Sequence, residues 1–168
     1  MTAQRQESYG RRLNAVFCGR IALIAALAVL APLAEATTSE RVVVNRFSGL
    51  AIEGFDPVAY FVTGQPVRGL PEFEASHDGA VWRFRNEGNR ASFVAHPEIY
   101  GPRFGGYDPT DIARGVVFAG NPLFWVVSGD RLYLFGLEAN RDAFAANPER
   151  FLAEARTRWP VLEETLAR

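Results

Sequence analysis

Apolar and polar residues alternate in two stretches of the chain, and a turn signal interrupts each stretch. The turn is His77-Asp78-Gly79 in EFEASHDGAVWRF and Ser128-Gly129-Asp130 in LFWVVSGDRLYLF. Alternation with period two around Gly and Asp predicts a β-hairpin. A short segment with apolar residues at helical spacing follows each hairpin and ends at a proline, which cannot continue a helix. The pattern predicts strand, tight turn, strand and short helix, twice over.

The two halves also match residue by residue. Residues 81–100 and 132–151 align with an offset of 51 and no gap, and they share N-R-x-x-F-x-A-x-P-E. An ungapped match of this kind favours an internal duplication over a common ββα pattern met twice. We therefore predict a small single α+β domain built from two pseudo-repeated strand-turn-strand-helix units. Ligand pockets favour interfaces of the sort that would lie between the two halves.

An Asp-Pro pair precedes each half, in GFDPVAYF and in GGYDPTDIARG. Asp56 and Asp108 are suited to cap a helix whose first residue is the proline. Asp111 then falls at the third helical position, where a carboxylate can reach back to the cap. The alternative is a cation site at Asp108 and Asp111. The pair Gly105-Gly106 fits either a binding loop or a tight turn.

The N-terminus has the pattern of an export signal. Four arginines precede the apolar run IALIAALAVLAPL, and Ala34-Glu35-Ala36 follows it as a cleavage site. We predict a signal peptide over 1–36, cleavage near Ala36-Thr37, a linker over 37–46, a domain over 47–162 and a tail over 163–168. An uncleaved membrane anchor is the alternative, and the export route, general or twin-arginine, stays open. The processed protein would be periplasmic or secreted.

Composition excludes several kinds of chemistry. The single Cys and the single Met lie within the predicted signal, and the chain has no lysine. Cysteine-ligated metals and a Schiff-base lysine are therefore excluded. Four of the 18 basic and two of the 19 acidic residues precede Thr37, which leaves 14 against 17 and gives no drive toward nucleic acid. His77 and His96 are interpreted as structural, and no nucleophile elbow is present.

Five blocks occur in order between about Phe47 and Leu162: GFDPVAYFVTGQPVRG, DGAVWRF, NRASFVAHPEIYGPRFGGY, FWVVSGDRLYLF and RWP. Together they resemble the exported branch of the YHS-domain family. The resemblance implies a small α+β domain of the bacterial envelope with no settled enzymatic activity. Members of that branch carry a cysteine after Gly-Gly-Tyr, where this chain has Asp108, so a thiol role does not carry over.

We therefore expect an exported binding module for a small ligand or a hard divalent metal ion, without catalytic apparatus. Its pocket is predicted where the two Asp-Pro segments meet, with Asp108 and Asp111 as the candidate metal ligands. The candidate ligand-binding residues are Asp56, Tyr60, Arg103, Gly105, Gly106, Tyr107 and Asp108. One alternative is a redox or metal-handling accessory enzyme that uses the same pocket. Another is a domain that binds an envelope protein through an aromatic patch around Trp125.

Overall fold

The computed structural model describes residues 41–166, so the predicted signal segment lies outside the described residues. Within that part of the chain there are six α-helices and two two-stranded antiparallel sheets, which confirms a mixed α and β architecture. In chain order the elements are α1 (Ala59–Val62), β1 (Leu70–His77), β2 (Ala80–Phe84), α2 (Glu87–Ala95), α3 (Pro97–Tyr100), α4 (Pro109–Ile112), β3 (Asn121–Ser128), β4 (Arg131–Phe135), α5 (Glu138–Ala146) and α6 (Pro148–Glu164).

The two hairpins form as the alternation predicts. Each has a two-residue loop in which both residues have positive φ, 49° and 76° at Asp78-Gly79 and 56° at both Gly129 and Asp130. This backbone suits the right-handed twist of the flanking strands. Trp82 pairs with Ala75 in the first hairpin, and each hairpin has one irregularity near the start of its first strand. The two hairpins therefore share both turn geometry and register.

Strand β4 connects the two apolar clusters of the core. Its side chains alternate between opposite faces, as they must in an extended strand. Leu132 and Leu134 belong to the first cluster, whereas Tyr133 and Phe135 belong to the second. All four side chains are buried. This strand explains why the two halves form one domain.

Each cluster centres on the phenylalanine of the shared motif. The ring of Phe93 lies 4.9 Å from Trp82 and 5.2 Å from Phe84. The ring of Phe144, 51 residues later, lies 5.0 Å from Tyr133 and 5.1 Å from Phe135. Each short helix is thus held on its own hairpin by aromatic contacts.

The domain begins earlier than the predicted boundary at residue 47. Val42 is buried in the first core cluster, and the Val43 amide donates to the Gly105 carbonyl at 2.8 Å. Val44 forms an isolated bridge with Ala51. These contacts correct the prediction of a linker over 37–46 for its described residues from Val42 onward. This earlier start could not be predicted, because the segment has neither the length nor the alternation of a full strand.

The last helix corrects two further predictions. A proline at position 160 in the segment FLAEARTRWPVLEETLAR predicts a break in the C-terminal helix, and residues 163–168 were predicted to form a tail. Instead α6 continues through Pro160 to Glu164, and Leu166 is buried in the second cluster. Trp159 packs on Phe104 at 5.6 Å. Contacts on both sides of the proline hold the helix together despite the missing N–H. Within residues 41–166, no helix has both the length and the apolar character needed to cross a membrane.

Candidate functional site

Asp56 is wholly buried, and four donors from its own half satisfy its carboxylate. Oδ1 accepts from the amides of Val58 and Ala59 at 2.9 and 3.3 Å. Oδ2 accepts from the Arg85 amide at 2.7 Å and from the Asn89 side chain at 2.6 Å. The carboxylate therefore joins the start of the α1 turn to the end of β2 and the first turn of α2.

Asp108 makes the corresponding set of bonds in the second half. Oδ1 accepts from the amide and the hydroxyl of Thr110 at 2.8 and 2.6 Å. Oδ2 accepts from the Gly136 amide at 2.9 Å and the Asn140 side chain at 2.7 Å. Asp108 is the N-cap of α4 with Pro109 in the first turn, so the capping interpretation is confirmed here. In the first half, α1 begins only at Ala59.

These networks correct the expectation of one pocket shared by the two Asp-Pro segments. Asp56 and Asp108 are each 0% exposed, and each is bonded within its own half. Neither lines a groove that the described residues form. A carboxylate that already accepts from four N–H and O–H groups has no lone pair directed at a ligand. The aspartates hold the fold together, and a ligand reaches neither of them.

The same donor set does not fit the predicted metal site. Asp111 does not reach back to the cap; its carboxylate accepts from Arg114 at 2.8 Å and from Asn140 at 3.2 Å. Both aspartates thus face N–H donors, which repel a cation. In the described part of the chain no three His, Cys, Asp or Glu side chains are grouped so as to hold a metal ion. We derive no metal chemistry from Asp108 and Asp111.

The nearby charge of Asp108 affects the pKa of the Asp111 carboxyl. Burial raises the pKa of the Asp111 carboxyl above its usual value, and the charge of Asp108 raises this pKa further. Arg114 and Asn140 oppose the rise. When folding raises the pKa of a carboxyl, ionisation of that carboxyl is less favourable in the folded state than in the unfolded state. Its contribution to stability is therefore lost as pH rises from its unfolded pKa through its folded pKa, and regained on acidification.

Three other candidate binding residues are also buried. The Tyr60 hydroxyl donates to the Pro122 carbonyl at 2.9 Å, and burial raises the pKa of this hydroxyl. Tyr107 packs 5.9 Å from Trp159, and Gly106 is buried at a φ of 91°. These residues have structural roles within the domain and do not line a groove.

Gly105 and Arg103, in contrast, lie on a groove. Gly105 has a φ of 63°, and a Cβ there would collide with the carbonyl oxygen of Arg41. The glycine allows the backbone of residues 41–43 to approach the Phe104 turn closely. This approach forms one wall of the groove and places Arg41 beside Arg103 on its lining. The glycine pair thus serves a tight turn and shapes a binding surface as well.

The groove, which we call the first groove, has a volume of about 890 Å³. It lies between the turn of the first hairpin, the segment from α3 to Gly105, and α6. Its floor and walls are aromatic, and its rim is charged. The aromatic lining consists of Trp82, Phe93, Phe104 and Trp159, and the charged lining of Arg41, His77, Asp78, Glu98, Arg103 and Glu163.

Only some of the charged side chains in this groove have an oppositely charged partner. His77 lies 3.3 Å from the Asp78 carboxylate, and Glu98 lies 3.5 Å from the exposed His96. Arg41 and Arg103 form no ion pair with any described residue. The Nε of Arg41 is buried and has no hydrogen-bond acceptor in the described part of the chain. A buried guanidinium N–H without an acceptor is costly.

A smaller groove of about 350 Å³ lies at the corresponding place in the second half, and we call it the second groove. Ser128, Arg131 and Glu149 line it, at positions 51 residues after His77, Ala80 and Glu98 of the first groove. Arg103 lines both grooves, so the two meet at that side chain.

Sequence reasoning found only part of the first groove. Arg103 and Gly105 were predicted, whereas Arg41 lay in the supposed linker. Trp159 was expected to pack on the domain, which it does, but not to line a groove. His77 and Asp78 predicted the hairpin turn, but nothing in the sequence indicated that they line a groove. Trp125, around which the alternative of a protein-interaction domain needs an exposed aromatic patch, is a half-buried ring that packs on Tyr60 at 5.2 Å.

No protein-family model matches this chain, and neither does any curated protein or any solved structure.

Proposed function

We propose that this chain is an exported binding module of the bacterial envelope and that it holds a small organic anion in the first groove. The observation that carries the proposal is the pair Arg41 and Arg103, two arginines without an ion-pair partner among the described residues, on the lining of a groove with aromatic rings. An anionic group would bond to Arg41 and Arg103, while a flat apolar body would cover the edges of Trp82 and Trp159.

The kind of ligand follows from the lining. A volume of about 890 Å³ suits a small molecule rather than a peptide segment of several residues. Aromatic walls favour a ligand with a flat apolar face, and two guanidinium groups favour a carboxylate or sulfonate over a cation. The three carboxylates on the rim repel an anionic ligand only weakly, because Asp78 and Glu98 are strongly exposed and screened by solvent. The lining contains no paired base and nucleophile, so we propose binding without catalysis.

We further propose that the domain is a duplicated unit of the YHS type, from the exported branch of that family. The order of the five sequence blocks supports the family, and several equivalences support the duplication. Gly69 and Gly120, 51 residues apart, donate to the carbonyls of Gly54 and Gly106, both at 2.9 Å. Three consecutive residues with positive φ precede Phe55-Asp56 in one half and Tyr107-Asp108 in the other. The two buried aspartate networks support the same conclusion.

Fluorescence titration with 1-anilinonaphthalene-8-sulfonate tests the proposed binding. The chain is expressed with its N-terminal segment and purified as the host processes it. We expect saturable binding to the wild type and about tenfold weaker binding to Arg41→Gln, because a charge-assisted hydrogen bond is lost. Glu163→Trp, which places an indole over the groove, should abolish binding.

The controls separate this groove from general hydrophobic binding. N-phenyl-1-naphthylamine has the same rings without the sulfonate, and its affinity should not respond to Arg41→Gln. Arg150→Gln removes an exposed charge from α6 outside the groove and should leave both affinities unchanged. Equal affinities of wild type, Arg41→Gln and Glu163→Trp for the sulfonate would refute the proposal.

A further inference from the structure

The second groove differs from the first in chemistry. Arg131 stands where the first groove has Ala80, and Leu152 stands where it has Gly101. The larger side chains reduce the volume to about 350 Å³, near the lower end of the range for ligand sites. The lining also loses most of its aromatic surface, since Tyr133 is the one ring among the described lining residues. A small polar ligand fits this groove better than an aromatic one.

The charge of the second groove is strongly positive. Three arginines line it, Arg103, Arg131 and Arg156, against the single carboxylate of Glu149. That carboxylate is 82% exposed and lies 3.9 Å from Arg156, at the outer limit of an ion pair. Arg131 donates only to the backbone carbonyl of its neighbour Asp130, at 2.9 Å, in the described part of the chain. Among the described residues, Arg103 and Arg131 therefore have no carboxylate partner, and Arg156 has only this distant one.

We propose that the second groove binds a dianionic oxyanion of the phosphate class. Guanidinium groups bind phosphate through paired N–H donors, and three of them converge on one small groove. The Ser128 hydroxyl, on the same lining, is a further donor. This site goes beyond the function proposed for the first groove and uses different residues, with Arg103 as the shared side chain.

Titration calorimetry with inorganic phosphate in a chloride buffer of matched ionic strength tests this site. The processed full chain should bind phosphate, and Arg131→Gln and Arg156→Gln should each weaken binding about tenfold. Arg150→Gln, with the same change in net charge on α6, should bind like the wild type. The first groove is tested separately with the sulfonate dye, so failure of one groove is distinguishable from failure of the other.

A second experiment distinguishes a lipid phosphate from a free phosphate as the ligand. Sedimentation with vesicles containing phosphatidic acid tests a lipid headgroup, with phosphatidylcholine vesicles as the control. Vesicle binding that requires Arg131 and Arg156 would assign the site to a lipid phosphate, and phosphate binding without it would assign the site to a free phosphate. The proposal is overturned when neither phosphate nor vesicle binding changes in Arg131→Gln and Arg156→Gln.

Discussion

Replacing Asp108 by alanine is expected to lower the free energy of unfolding by roughly 3–5 kcal/mol. The substitution removes the acceptor of four hydrogen bonds at a position with no solvent access. The Thr110 amide would remain buried without its acceptor, the Gly136 amide would lose its acceptor too, and Asn140 would keep only its 3.2 Å bond to Asp111. Each unsatisfied buried donor costs about 1–3 kcal/mol. Chemical denaturation of the purified protein measures the change.

Two further variants make this result specific. Asp142→Ala removes a solvent-exposed carboxylate from α5 and should change stability by less than about 0.5 kcal/mol. Asp56→Ala breaks the equivalent network and should cost about as much as Asp108→Ala. Because the networks share no residue, the two losses should add in the double variant. A stable Asp108→Ala protein would contradict the structural role of this carboxylate.

The second large effect is expected at Gly105. Gly105→Ala places a methyl group against the Arg41 carbonyl oxygen, at a φ of 63°. The left-handed conformation alone costs a non-glycine residue about 1–2 kcal/mol. The collision adds to this, because the backbone of residues 41–43 must move away from the Phe104 turn. We expect a total loss of about 3 kcal/mol or more, again from chemical denaturation.

Gly129→Ala is the matched control for this change. Gly129 has a similar φ of 56°, but a Cβ there meets no atom within 4 Å. Its substitution should therefore report the conformational cost alone, about 1–2 kcal/mol. Equal losses at the two glycines would show that the close approach of Arg41 to Gly105 does not matter. A larger loss at Gly105 assigns the difference to that contact.

The hairpins and the Asp108 helix cap could be predicted from the sequence because their determinants are local, whereas the predicted cap at Asp56 is wrong, since α1 begins only at Ala59. Asp78-Gly79 and Gly129-Asp130 set the turn geometry within two residues, and Asp108-Pro109 sets a helix start. The α6 helix was harder, because Pro160 is a strong local signal against continuation. Packing of Trp159 and Leu166 overrides that signal, and neither contact can be read from nearby sequence.

The site could be predicted only in part, for a similar reason. Asp56 and Asp108 lie in two similar Asp-Pro motifs, but the predicted pocket shared by the two motifs is wrong, since each carboxylate is bonded within its own half. Their partners Arg85 and Gly136 lie 29 and 28 residues away, so burial of the carboxylates depends on tertiary contacts. The first groove requires Arg41, Gly105 and Trp159 to meet, and no spacing in the chain indicates it.

Our central claim is that ligands bind at the first groove and that the two buried aspartates have a structural role. Amide chemical shifts of the ¹⁵N-labelled processed protein, measured during titration with 1-anilinonaphthalene-8-sulfonate, test it most directly. We predict that shifts concentrate at Asp78, Gly79, Gly101 and Gly105 and at the Trp159 indole. The amides of Arg85 and Gly136, which donate to the aspartates, should remain in place. The account would be contradicted if the signals of those two amides shifted while the signals of the first groove stayed unchanged.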